Sequence, residues 1–177
     1  MPQTAFNRES SSIWVQKAEV ENKLYQMIAY LEDTQHVGRE VVEIGSIYNS
    51  IHDEELKARC SDLLSAPSNF DRVINQATLV LEDRIRTKSG TSAGAVGVAL
   101  VNQVVKGDPR STVLKFSDDK NVQDGFASIL RGIVGAYRNP THHHVLDHIT
   151  REDALKVCAF IDSLLKVVDG AAVNKTL

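Results

Sequence analysis

Apolar residues recur at spacings of three and four along most of the chain, and the strict alternation that marks a half-buried strand is scarce. A spacing of three and four is the period of an α-helix that buries one face. The pattern therefore predicts seven amphipathic helices joined by short polar segments, the first of which includes Leu24 and Met27 in its apolar stripe. The seven stripes begin at Ile13, Val37, Leu56, Phe70, Ala93, Val122 and Ala154.

The clearest internal boundary lies at residues 66–69, where Ala-Pro is followed by Ser68 and Asn69, two residues that favour helix N-caps. We divide the chain there into an N-terminal helical extension, residues 1–66, and a helical domain, residues 67–177. The stripe from Phe70 to Ile85 is the strongest in the sequence and is expected to form a core helix of the second part.

Turn signals mark the ends of the later helices. A Gly-Asp-Pro turn at residues 107–109 stops the fifth helix, and residues 113–116 are expected to form a short extended piece. Pro140 disfavours helical backbone at the residue before it, so the sixth helix should break or kink there. Thr150 and Asp153 have the spacing of a capping box that opens the seventh helix. The last seven residues are expected to fray.

Composition agrees with a helical protein. The 177 residues suit one domain, or one domain with an extension, because chains usually divide only beyond roughly 250 residues. The chain has 42% hydrophobic and 24% charged residues, as ordinary folded proteins do, and only four prolines and ten glycines. We therefore predict an all-α fold, an antiparallel helical bundle.

Composition also excludes several classes of protein. No window approaches the roughly 18 apolar residues of a membrane span, and the N-terminus lacks the apolar core of a signal peptide, so we expect a cytoplasmic protein that does not contact membranes. Cys60 and Cys158 lie in apolar patterns without a CxxC motif and are expected to be small buried side chains. The net charge of −3 argues against coating of duplex DNA but leaves a local basic pocket open.

The stretch at residues 90–97, GTSAGAVG, is rich in glycine, as phosphate-binding loops are. It lacks the GxxxxGK[ST] pattern, and no predicted strand precedes it. We therefore expect no nucleotide-cradling loop here, and no cofactor.

The most unusual local feature is a cluster of histidines directly after the sixth predicted helix. His142, His143, His144 and His148 fall within seven residues, in the segment that follows Arg138. This segment joins two core helices at a proline, a place where polar side chains can be held rigidly and still reach solvent. It is therefore the first candidate for a functional site.

Three interpretations of the cluster remain open. In the first it is a solvated turn in which Arg138 pairs with a nearby carboxylate. In the second, His144, Asp147 and His148 hold zinc or nickel, although the HExxH motif is absent and three adjacent histidines cannot all face one ion. In the third, Arg138 stabilises charge on phosphate oxygens while a histidine transfers protons, which is phosphodiester chemistry without a metal.

These residues resemble a known family. Residues 79–171 are similar to the HEPN superfamily and, within it, to the Ymh-type domain of bacterial abortive-infection proteins. The resemblance is carried by Arg138-Asn139-Pro140-x-x-His143, by the small-residue helix GIVGAYRNP at residues 132–140, and by QDGF at 123–126 and LEDRIR at 81–86. It implies a helical bundle that pairs as a two-fold homodimer, with the motifs of both subunits lining one cleft. It also implies a metal-independent endoribonuclease that needs no cofactor.

The resemblance also implies roles for individual residues. His143 would act as general base or acid, Arg138 would neutralise the pentacoordinate phosphate, and Asn139 would hold the histidine or the phosphate. Position 142 departs from the family pattern, because a histidine stands where the family has a small residue. His142 and His144 therefore remain alternatives to His143.

Glu82 has two interpretations. It lies four residues before Arg86 on a core helix, in the order that favours a surface ion pair. The alternative, which the resemblance suggests, is that Glu82 orients Arg138 or a histidine of the motif.

The expected function is cleavage of RNA through attack by its own 2′-hydroxyl, in a toxin or antiphage effector that an inhibitory partner protein restrains. A different class stays open beside it, because HEPN-like domains also serve as non-catalytic dimerisation or RNA-binding modules. The two differ in whether Arg138 and His143 act on a bound phosphate or only support the fold.

Overall fold

A computed structural model describes residues 23–30, 32, 34, 38, 45, 48–92, 94–138 and 149–174. The chain divides into two compact units, Met1–Gly45 and Ser46–Leu177. In the first unit residues 23–30 are helical, but Leu24 and Met27 are exposed, so the prediction that they belong to a buried stripe is wrong.

The second unit begins with two helices, α1 (Glu54–Leu64) and α2 (Asp71–Ser89). Asp53 caps α1 by accepting a hydrogen bond from the backbone N–H of Leu56 at 2.9 Å. Neither Ser68 nor Asn69 caps α2, because the N-cap position is taken by Phe70, which makes no side-chain cap bond. The predicted boundary between residues 66 and 67 stays a prediction, and α1 packs against α2 within this unit.

Helix α2 lies at the centre of the unit and contacts α1, the short helix α3 (Val98–Val104) and the last helix, α5 (Arg151–Gly170). Its buried stripe matches the prediction for a core helix. Thr150 and Asp153 form the predicted capping box at the start of α5. The all-α class is confirmed, and the described helices form a bundle around α2.

The helix predicted from Ala93 begins later than expected. Ala93 lies outside the described residues, and α3 starts at Val98. Gly97, at its N-cap, has φ 61° and ψ −140°, a backbone conformation that residues with a side chain rarely adopt. The glycine therefore fixes where the loop ends and the helix begins.

The extended piece predicted at residues 113–116 is a two-residue strand, β1 (Leu114–Lys115), which pairs antiparallel with β2 (Ala172–Val173). The side-chain amide of Asn174 adds a hydrogen bond to the carbonyl of Thr112 at 2.9 Å. Fraying is therefore wrong for residues 171–174, while residues 175–177 lie outside the described part. The chain end is held because β1 offers it backbone partners.

Helix α4 (Lys120–Ile133) carries the QDGF motif at its start. Gln123 is fully buried and accepts a hydrogen bond from the N–H of Phe116 at 2.8 Å while donating to the carbonyl of Lys106 at 2.9 Å. Asp124 lies so close to Gly107 that a side chain there would collide with it. The first two residues of the motif thus anchor the loop between α3 and β1.

A polar contact attaches the start of α1 to α5. The buried carboxylate of Asp162 accepts hydrogen bonds from the backbone N–H groups of His52 and Asp53, at 2.8 and 2.7 Å, and pairs with Lys166. Burial alone would raise the pKa of Asp162, but these backbone bonds and Lys166 together hold it below its ordinary value. The charged form of Asp162 therefore stabilises the docked helices.

Both cysteines are buried and free, as predicted. Contact with the thiol of Cys60, together with burial, raises the pKa of Cys158 and keeps this thiol protonated. None of the helices in the described part of the chain combines the length and the apolar character that a bilayer crossing requires.

Candidate active site

Helix α4 ends in a single π-helical turn, Val134–Arg138, which packs against α2. Such turns are rare, occur mostly as one-turn insertions and are frequent at functional sites. Gly135 lies against the side chain of Val98, where a Cβ would come within 3.5 Å of a methyl carbon. The small residue lets the turn approach α3 closely, and the turn ends on Arg138.

The side chain of Arg138 forms an ion pair with Glu82 of α2, joining Nε of the guanidinium to Oε1 of the carboxylate. The Glu82 side chain is only 3% exposed and that of Arg138 is 16% exposed. A buried carboxylate is costly unless a positive charge and hydrogen bonds compensate it, so the two side chains depend on each other. The interpretation that Glu82 orients Arg138 therefore agrees with the geometry.

The alternative surface pair between Glu82 and Arg86 is wrong. Arg86 lies 3.7 Å from Asp83 and donates a hydrogen bond to the carbonyl of Ala95 at 3.3 Å. Helical spacing indicates which residues share a face, but here burial of Glu82 turns its carboxylate toward the π turn instead.

Gly97 completes the surroundings of the pair. Its backbone N–H donates to Oε2 of Glu82 at 3.0 Å, so both carboxylate oxygens have partners. A Cβ at Gly97 would lie 3.5 Å from Nη1 of Arg138, which shows that the backbone runs along the guanidinium. The glycine-rich stretch thus holds the buried pair, a role that the comparison with phosphate-binding loops missed.

A cavity of about 270 Å³ opens beside this pair. Three arginines, three carboxylates, one amide and three aliphatic side chains line it. They are Arg59, Arg86 and Arg138, Glu55, Glu82 and Asp83, Gln76, and Leu79, Val80 and Val96.

Charges in the cavity are arranged in pairs. Glu55 lies 3.3 Å from Arg59, Asp83 lies beside Arg86, and Glu82 binds Arg138. A guanidinium carries five N–H donors, so a carboxylate that binds Nε leaves donors on the two terminal nitrogens. The cavity can therefore supply hydrogen-bond donors to an anion, while its own acceptors are largely occupied.

The remaining predicted site residues lie outside the described residues. These are Asn139, His142, His143 and His144, and the possible metal ligands Asp147 and His148 share that position. The structure brings together only Glu82 and Arg138 from the predicted set. Within the described residues, no three His, Cys, Asp or Glu side chains are placed to hold a metal ion.

Sequence reasoning missed Gly97, Gln76 and Arg59 as members of this site. Gly97 could have been found from its position directly before an apolar helical stripe, where a glycine with positive φ commonly begins a helix. The sequence carries no comparable signal for Gln76 or Arg59, because each lies on an ordinary polar helix position.

The site lies within a segment that matches a protein family. Comparisons with curated proteins and with solved structures give no match. The family model described as a protein of unknown function (Hypoth_ymh) matches residues 50–168, a range that contains Glu82, Gly97 and Arg138. Because this match covers more than half of the chain, the protein belongs to the Hypoth_ymh family.

Proposed function

We propose that this protein is a metal-independent endoribonuclease of the HEPN type. The observation that supports it most is the buried Glu82, which holds the guanidinium of Arg138 at the wall of a cavity. Arg138 directly precedes the histidine-rich segment in the sequence. An arginine fixed in this way and followed by histidines is suited to phosphodiester chemistry.

Arg138 stabilises the charge that develops on the phosphate. Its Nε is held by Glu82, and the N–H groups of its terminal nitrogens meet the nonbridging phosphate oxygens. A donor that is fixed before the reaction begins need not reorganise as charge develops, which is where electrostatic catalysis gains most. Glu82 is a positioning residue, since it acts through the arginine.

His143 transfers the proton in this mechanism. As a general base it takes the proton of the 2′-hydroxyl while O2′ attacks phosphorus. The O2′–P bond forms and the P–O5′ bond breaks, and a general acid protonates the departing 5′ oxygen. The products carry a 2′,3′-cyclic phosphate and a 5′-hydroxyl. Asn139 holds the histidine or the phosphate, and His142 and His144 remain alternatives for the proton carrier.

We further propose a homodimer. One face of α4 and the π turn exposes a stripe without charged residues, formed by Val122, Gly125, Ile129, Gly132 and Ala136. Neither Gly125 nor Gly132 has a neighbour within 4 Å of where its Cβ would be, so another helix could approach closely. A second copy on this stripe would bring two Arg138 segments toward one cleft.

The biological role proposed is that of a cytoplasmic toxin or antiphage effector. A nuclease that acts on cellular RNA needs restraint, and an inhibitory partner protein would supply it. The local cavity, and not the whole surface, would bind RNA, because the net charge of the chain is −3.

One observation favours a second candidate, a non-catalytic dimerisation or RNA-binding module. The charge of Arg138 is already compensated by Glu82, and its side chain is mostly buried. A purely structural ion pair would have the same features.

Single substitutions separate the two functions. Arg138→Ala should lower the cleavage rate about 10²- to 10³-fold and His143→Ala about 10²- to 10⁴-fold, while RNA affinity falls less. Arg138→Lys, which keeps a charge beside Glu82, should also cleave slowly and still fold, because lysine cannot hold both partners. Arg72→Ala, at an exposed position of α2, is the matched control and should cleave normally.

Cleavage, RNA binding and circular dichroism would be measured on the same preparations. Wild-type protein that binds RNA without cutting it, with Arg138→Lys binding equally well, would contradict the nuclease and favour the module.

A further inference from the structure

The cavity beside Arg138 extends along one face of α2. Gln76, Val80 and Asp83 line it at spacings of four and three, so they share a helix face. Gln76 and Glu82 are six residues apart, which is ~9 Å along the helix axis. This is close to the reach from a phosphate to the outer edge of the base on the same nucleotide. The cavity therefore has room for a base at a fixed distance from the proposed phosphate position.

The volume of the cavity limits what can enter it. At about 270 Å³ it lies just below the usual range for small-molecule sites, and it is too small for a paired base step. Aliphatic side chains of Leu79, Val80 and Val96 form the apolar part of its wall. A single unstacked base, which is what single-stranded RNA offers, suits this combination of size and wall.

Gln76 is the uncharged polar side chain in the cavity. Among the residues that the structure describes, none forms a hydrogen bond with its amide. The arginines of the cavity, in contrast, are engaged by Glu55, Glu82 and Asp83. The amide therefore presents one donor and one acceptor, side by side, to whatever occupies the cavity.

We propose that Gln76 determines base specificity by pairing with an adenine whose phosphate is bound at Arg138. Adenine presents an N6 donor beside a ring-nitrogen acceptor, which matches the acceptor Oε1 and the donor Nε2 of the amide. Guanine would instead suit a free arginine, and here the arginines have carboxylate partners. This inference rests on the proposed function for its substrate, but its recognition step can be measured without cleavage.

Binding of the four nucleoside 3′-monophosphates to the full-length protein tests the inference directly. Chemical shifts of the α2 amides would be followed as each nucleotide is added. Adenosine 3′-monophosphate should bind about 5- to 150-fold more tightly than the others, which is the discrimination that a two-point amide contact gives. The purine analogue that lacks the N6 amine should lose this advantage.

Substitutions assign the preference to one side chain. Gln76→Ala should abolish the adenine preference, and Gln103→Ala, a glutamine on exposed α3 that does not line this cavity, should leave it unchanged. Arg138→Lys should weaken all four nucleotides to a similar degree, because it acts on the shared phosphate.

Equal affinity for all four nucleotides, a guanine preference, an adenine preference that survives Gln76→Ala, or no binding at millimolar concentration would each overturn the inference. Adenine-specific binding by a protein that cuts no RNA would uphold it while removing the nuclease. RNA cleavage with no preference at any position near the cut would do the reverse.

Discussion

At the scale of single residues, the pair of Glu82 and Arg138 supports both the fold and the proposed chemistry. The carboxylate is almost fully buried, and its partners are Arg138 and the N–H of Gly97. Removing one member of such a pair leaves an uncompensated buried charge, whereas removing both does not. The pair should therefore behave as one energetic unit.

A double-mutant cycle measures that coupling. Glu82→Ala and Arg138→Ala should each lower the free energy of unfolding by about 3 to 5 kcal/mol, and the double variant by clearly less than the sum. Urea denaturation of the four proteins gives the values. The exposed pair of Glu152 and Lys156 on α5 is the matched control, with an expected coupling below about 0.5 kcal/mol. Additive effects at Glu82 and Arg138 would mean that the buried pair does not form.

Gly97 is predicted to be intolerant of a side chain for a backbone reason. A Cβ there has room, at 3.5 Å from Arg138, but the positive φ is strained for alanine. Gly97→Ala should lower the free energy of unfolding by about 1 to 3 kcal/mol. Gly170→Ala, on an exposed helical turn with open space, should be neutral or stabilise by up to about 1 kcal/mol. Equal effects of the two substitutions in thermal unfolding would refute the assignment.

The sequence predicts the candidate site only in part at this scale. Arg138 stands out because it precedes a cluster of histidines, and the partner role of Glu82 was one of two interpretations. The choice between Arg86 and Arg138 could not be made from spacing, since it depends on a π turn that places residue 138 against α2. The part of Gly97 depends on that same packing.

At the scale of helices and strands, local signals predicted most of the described elements. Apolar stripes and the Thr150 capping box gave α1, α2, α4 and α5, because these features depend on neighbours in the sequence. Strand β2 was missed, because two residues pair only when β1 lies beside them. The π turn was missed for a similar reason: no local pattern distinguishes it from the α-helix it continues.

Docking of α1 onto α5 is predicted to depend on pH through Asp162. Its folded pKa lies below the ordinary value of 3.8, so its charge stabilises the fold above that pH, and the contribution is lost as pH falls through the folded pKa. Asp162→Asn should cost about 1.5 to 3 kcal/mol at pH 7. The difference from wild type should be constant from pH 8 to about 5 and shrink below about 4.

Urea unfolding at a series of pH values measures this difference. Asp118→Asn, at a highly exposed carboxylate paired with Lys115, is the control and should differ little from wild type throughout. A cost for Asp162→Asn that grows as pH falls would have the wrong sign and would contradict the account.

At the scale of the whole molecule, the uncharged stripe on α4 predicts self-association. Light scattering at micromolar concentration should give the mass of a dimer, with an interface above roughly 1,000 Å². Ile129→Glu, at the centre of the stripe, should give a monomer, because it buries a charge without a partner. Phe160→Glu, at an exposed apolar position on α5, should remain a dimer. A monomeric wild-type protein would remove the dimer from the proposal.

The central claim is that this protein cleaves RNA by 2′-hydroxyl attack without a metal. Mass spectrometry of the ends produced from a defined single-stranded RNA, in excess chelator, tests it most directly. The account predicts unchanged cleavage, with 2′,3′-cyclic phosphate and 5′-hydroxyl ends, and none at a nucleotide whose 2′-hydroxyl is replaced by hydrogen. Products ending in a 5′-phosphate, or cleavage that stops on chelation and returns with zinc, would contradict it.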